Sequence, residues 1–109
     1  MTSRGANLNA EPVREAAFGA IGVNYAQMTP DISHDIKIII FNNKTDKDVY
    51  FSLDGVTNHF RVAAGSAKTL DLRMNDIFLE NGDEIYIKQV PAPEGAPTTG
   101  AAWVECLYV

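Results

Sequence analysis

Reactive residues are scarce in this chain. One cysteine, Cys106, stands among 109 residues, which excludes an internal disulfide framework. The two histidines, His34 and His59, lie far apart and neither has a companion four residues on, so no zinc constellation of recognisable spacing exists. No serine sits in a G-x-S-x-G elbow, Ser52 and Ser66 included, and "EGAPTTG" has no lysine after its glycines to build a phosphate-cradling loop. Long apolar runs are also missing, none approaching the roughly 18 residues that cross a bilayer. The start, "MTSRGANLNAEPVREAAFGAIG", lacks the basic opening and continuous apolar stretch of a secretory leader. A membrane partner is not expected.

Positive charge is in short supply. Lys and Arg number 9 against 14 Asp and Glu, for a net charge of −5. Arg4, Glu11, Arg14 and Glu15 cancel one another, so the acidic excess lies from Asp31 onward. A protein that tracks phosphates needs a basic stripe, and no nucleic-acid partner is expected here. Lys44, Lys47 and Lys68 read as solvated turn and edge charges that discourage stray strand pairing.

The carboxylates that could do chemistry are placed in turns. Asp46, Asp48 and Asp54 could hold a weakly bound calcium, but they lack the glycine and closing glutamate of the twelve-residue calcium loop and read as turn formers. Glu80, Asp83 and Glu84 cluster before a strand as paired acids for glycoside hydrolysis would, but acids around a turn read as solvated. Cys106 alternates with Val104 and Tyr108, which predicts a buried, inert thiol on a strand. Tyr25, Tyr50, Phe60, Tyr86, Trp103 and Tyr108 offer either a sugar-stacking face or ordinary half-buried sheet packing, and packing is the expectation. No catalytic, cofactor-binding or metal residue is assigned, no cofactor is expected, and the chain does not read as an enzyme.

What the sequence has in quantity is alternation. "DIKIIIFNN" puts Ile36, Ile38 and Ile40 on one face and Lys37, Ile39 and Phe41 on the other, a strand apolar on both sides. "NKTD" turns the chain into "KDVYFSLDG", where Val49, Phe51 and Leu53 alternate with Tyr50 and Ser52, the clearest hairpin signal in the chain. "HFRVAAG", "SAKTLDLR" with Leu70 and Leu72, "EIYIKQV" and "AAWVECLYV" read as further strands, divided by Asp54-Gly55, Asn81-Gly82 and the proline-rich loop 91–100. "EAAFGAIGVNYAQM" reads as strand or extended chain, because Gly19 and Gly22 penalise a helix. The polar first stretch predicts an extended arm over residues 1–14, with little to bury against its own domain and a neighbouring subunit to reach for. The expected fold is all-β: an antiparallel β-sandwich of about seven or eight short strands over residues 15–109, preceded by that arm.

The phrases "IIIFNNKTDKDVYFSLDGVTNHFRVAAGSAKTLDL", "IFLENGDEIYIKQV" and "APTTGAAWVECLYV", together with "AFGAIGVNYA", resemble small β-rich virion structural proteins of tailed bacteriophages. The similarity runs over nearly all of the chain from Phe18 onward. It implies an architectural role in the virion, with copies self-associating in a ring or lattice at the head-to-tail neck or collar and contacting portal, tail or capsid proteins. It also implies residence in the host cytoplasm before assembly. Asn42, Thr45, Asp46, Asp54, Gly55, Thr57 and Gly65 match its turn pattern, with a conformational role. Rival expectations are a capsid decoration protein and a carbohydrate- or receptor-binding module.

Overall fold

The computed structural model describes residues 9–72 and 79–108. Its strands are β1 (Asn9–Ala10), β2 (Arg14–Ala17), β3 (Ala26–Met28), β4 (Ile36–Asn43), β5 (Val49–Ser52), β6 (Phe60–Val62), β7 (Ala67–Asp71), β8 (Ile85–Gln89) and β9 (Ala101–Tyr108). A 3-10 turn at Phe18–Ala20 follows β2. All pairing is antiparallel, in two sheets ordered β2-β9-β4-β7 and β3-β8-β5-β6, with β1 continuing the β2 side of β9. From β2 onward every connection except β5 to β6 passes from one sheet to the other. That ordering is the double Greek key of a jelly roll. Among the described residues no helix is long and apolar enough to cross a membrane.

The sheets face each other through the residues that alternation assigns to the interior. Ile39, Phe41, Val49, Phe51, Ile85, Ile87, Val104 and Cys106 are buried between them. Phe41 of one sheet meets Phe51 and Phe60 of the other at ring distances of 4.8 and 5.0 Å. Burying a large apolar side chain stabilises by roughly 1.5–3 kcal/mol, so this belt is the main source of stability. In β4 an irregularity between Ile36 and Ile38 departs from the simple alternation. It moves Ile36 to the buried side with Ile39 and Phe41 and leaves Ile38 and Ile40 half-buried.

Two expectations need correction. The β4–β5 hairpin does not form, because the strands lie in different sheets. The reason is Asn43, whose buried amide builds a corner. Its Nδ2 donates to the carbonyls of Lys47 (2.8 Å) and Val62 (2.9 Å), and its Oδ1 accepts from the Thr45 amide (3.0 Å) and hydroxyl (2.7 Å). These bonds replace the ladder a hairpin would have supplied and turn the chain across the sandwich. The arm is the second case. Its residues 1–8 lie outside the described residues, but 9–14 pack on their own domain: β1 and β2 pair with β9, and Glu11 and Arg14 are buried.

The connections gather at two ends. The upper end holds loops 29–35 and 53–59 and the approach to β8 at 79–84. The lower end holds 18–25, 44–48, 63–66 and 90–100.

Candidate functional site

At the upper end the link between β1 and β2 delivers Glu11, with its side chain 1% exposed, and β2 opens with Arg14, likewise 1% exposed. Arg14 donates to Glu11 Oε1 at 2.6 Å, to the Pro30 carbonyl at 2.6 Å and to the Asp31 carbonyl at 3.0 Å. Glu11 Oε2 accepts from the Ser33 amide (3.0 Å), the Ser33 hydroxyl (2.9 Å) and His34 Nδ1 (2.7 Å). The His34 ring then stacks on Tyr108 at the end of β9, 3.6 Å between centroids. Burial pushes the Glu11 carboxyl up, but the bonds from Arg14, His34 and Ser33 outweigh it and hold it at about 2.

A serine, a histidine and a glutamate in contact invite comparison with a hydrolytic triad. The geometry does not fit one. Acid and hydroxyl both address the same ring nitrogen, Nδ1, and Glu11 takes the Ser33 hydroxyl directly. A triad places acid and nucleophile on opposite nitrogens, so that the ring can carry a proton between them. The cluster fastens the segment before β2, the loop after β3 and the end of β9 to one another.

The turn aspartates are all engaged as acceptors. Asp54 receives the Thr57 and Val56 amides at 2.7 and 2.8 Å, which hold its carboxyl well below the usual range. The buried hydroxyl of Ser52 also donates to it. Asp46 receives the hydroxyl and amide of Thr98, which hold it at about 2. Asp48 receives the Ala64 amide at 3.0 Å and Arg61, both lowering its carboxyl, while its own amide donates to Glu94 at 2.8 Å. Loops 44–48, 63–66 and 90–100 are thus tied together. Gly100 completes the lower end with φ +84°, and a Cβ there would run into the Lys44 carbonyl oxygen.

The remaining candidates fall apart as chemistry. Asp83 caps the Glu80 amide and Glu84 takes the Tyr86 hydroxyl, so the three acids do not face one another across a substrate site. Cys106 is buried, with its thiol pushed up to about 11 by that burial. Among the described residues no group of three or more His, Cys, Asp or Glu is arranged to hold a metal ion. A cleft of about 300 Å³ lies between Tyr50, Arg61 and Val90–Glu94, and another of about 260 Å³ between Asp35, Lys37, Leu79 and Glu80. Of the turn-pattern residues, Gly55 and Gly65 take positive φ as a turn needs, whereas Asn42 lies within β4 and donates to Glu105 at 3.4 Å.

The two outer faces differ. On the β2-β9-β4-β7 sheet, register places Leu107 beside Ile38, Glu105 beside Ile40, and Trp103 between Glu15 and Asn42. Trp103 is the outward residue of its pair, since Val104 is fully buried. On the β3-β8-β5-β6 sheet, register gives a row of Gln27, Tyr86 and Ser52 and a row of Lys88, Tyr50 and Arg61. Tyr25 lies under the Lys88 ammonium at 4.6 Å, and its hydroxyl donates to Asn58 Oδ1 at 2.6 Å. Burial, with the Asp54 charge behind it, pushes the Tyr25 phenol up to about 12. Sequence reasoning missed the Glu11–Arg14 pair, although Arg14 and Ala16 at strand spacing hinted that an arginine points inward. No protein-family model, curated protein or solved structure matches this chain.

Proposed function

We propose that this protein is a non-enzymatic structural component of a tailed-bacteriophage particle, present in multiple copies at the head-to-tail neck or collar and in the host cytoplasm before assembly. Its partners are further copies of itself and neighbouring virion proteins. The observation that carries this reading is the outer face of β4 and β9, where Ile38, Ile40, Trp103 and Leu107 are half-buried and point away from the core. An antiparallel sheet with one solvated face alternates apolar with polar, and central strands that are apolar on both sides call for a cover. Ends pinned by Glu11, Asp46, Asp48 and Asp54 support the same reading, because a preset shape lowers the cost of ordering at assembly. The jelly-roll topology, used by many viral capsid proteins, supports it by analogy of fold alone.

The test is the copy number of the protein in purified particles, by quantitative mass spectrometry against the portal and major capsid proteins. A ring-sized count, on the order of ten, is expected for closed cyclic symmetry. A count comparable to the capsid protein moves it to the head exterior as a decoration protein. Absence from particles overturns the virion role.

A further inference from the structure

We infer that Lys68 keeps the outer edge of β7 from pairing with the same edge of a second copy, so that contacts between copies use other surfaces. The inference is independent of the virion role proposed above. A sheet edge is a row of backbone donors and acceptors open to a further strand, and the hazard grows with the length of the edge strand. β3 and β6, the edges of one sheet, have three residues each. On the other sheet the β1–β2 edge is broken between Ala10 and Arg14, where Pro12 stands. β7 runs five residues, Ala67–Asp71, and among the described residues no strand pairs with its outer side. It is the edge most in need of protection.

Register shows how the protection works. Lys68 lies opposite Phe41, which is fully buried, so its side chain leaves β7 on the inner side of the sheet. There it reaches across the open side of the sandwich, and its ammonium stands 6.0 Å from the centre of the Phe60 ring on the other sheet. The residue is nonetheless exposed, as an inward side chain can be at an edge. A strand added to β7 would continue the sheet past that position and shut the ammonium into the seam between two sandwiches. A two-fold antiparallel pairing centred on Thr69 would set Lys68 against Leu70 and not against an acid. A charge taken out of water without a counter-charge outweighs the few hydrogen bonds of a short ladder. Of the three lysines that the sequence suggests for this duty, Lys44 and Lys47 fall in the 44–48 loop, and Lys44 donates to the Gly65 carbonyl at 3.2 Å. Of these three, only Lys68 stands on an edge strand.

The ladder also tells which backbone groups are shielded. The Asn43 amide donates to the Ser66 carbonyl at 2.9 Å, so the bonded pairs of β4 and β7 recur at every second residue, Phe41 with Lys68 and Ile39 with Leu70. The N–H and C=O of Ala67 and Thr69 therefore point to the open side. Proline at position 69 takes a donor from that side and leaves the bonds to β4 in place.

Lys68→Val removes the charge and suits a strand. In analytical ultracentrifugation of the full chain it is expected to self-associate at least about tenfold more tightly than the wild type. Hydrogen exchange at the Thr69 amide of that variant is expected to slow as its concentration rises. Lys68→Glu, which exchanges one charge for another, is expected to match the wild type. Adding Thr69→Pro to Lys68→Val is expected to abolish the gained association. Circular dichroism checks that each variant folds, and Lys68→Thr takes the place of Lys68→Val if the valine variant does not. A folded neutral variant that associates no more than the wild type overturns the inference. So does association that Lys68→Glu shares, since the charge is then not the guard, or that survives Thr69→Pro, since the β7 edge is then not the contact.

Discussion

At the upper end of the sandwich a carboxylate, Glu11, is sealed from water beside a guanidinium, whereas at the lower end Asp46 fastens its loop from a position open to solvent. Both accept several hydrogen bonds, and both are held at about 2. The surroundings decide what each is worth. An exposed carboxylate competes with water for every donor it holds, so its removal is felt locally. A buried one cannot be removed without leaving Arg14 charged and unmatched in the interior. The lower end compensates by close backbone contact, with Lys44 donating to the Ala101 carbonyl at 2.9 Å and Gly100 pressed against Lys44.

The sharpest way to break the contrast is to delete Glu11. Glu11→Ala is expected to cost about 3–5 kcal/mol in urea unfolding, because the buried Arg14 charge keeps its carbonyl partners but loses its counter-charge. A loss under about 1 kcal/mol would put the pair on a level with a surface ion pair and erase the distinction. The double variant Glu11→Leu with Arg14→Met is expected to recover much of the loss, since apolar residues of similar volume often replace a buried pair.

Next in size is the lower end's own weak point. Gly100→Ala is expected to cost about 2 kcal/mol or more, combining an unfavourable φ with the collision at Lys44, while Gly65→Ala, with φ +75° and open space around it, is expected to cost nearer 1 kcal/mol. Thermal unfolding of the two variants compares them directly. Equal losses would mean that the Lys44 contact yields easily.

The last comparison separates the ends by acid. The Glu11 carboxyl is depressed from 4.5 to about 2 in the folded protein, so the unfolded chain binds its proton first as pH falls. The stabilisation is therefore complete above about 4.5 and is lost as pH drops towards 2. Stability of the wild type is expected to fall across that window, and the slope is expected to flatten in Glu11→Gln. Asp46→Asn is expected to flatten it less, because solvent screens that site. Denaturation midpoints at a series of pH values measure both slopes, and a steeper change from Asp46→Asn would reverse the ranking of the two ends.

Much of the sandwich was legible because alternation reports which side chains share a face. Val49 and Phe51, Ile85 and Ile87, and Val104 and Cys106 are buried as their spacing predicts. Partner identity was less legible. "NKTD" says that the chain turns, and only the buried Asn43 amide decides that it turns into the other sheet. Glu11 and Arg14 were hidden by composition: a polar stretch reads as solvated unless its charges find each other and the Pro30 and Asp31 carbonyls, which lie elsewhere in sequence. The surface was read more fully than the interior knot, since "IKIIIF" announces an apolar outer side without any knowledge of its neighbours.

β9 is hydrogen-bonded on both sides, to β2 and to β4. During translation those two strands leave the ribosome long before the strand that joins them, and for that interval each offers an open edge to whatever passes. The sheet therefore closes only once β9 has been made, and a nascent chain halted before Ala101 is a ready client for chaperones that mask unpaired strands.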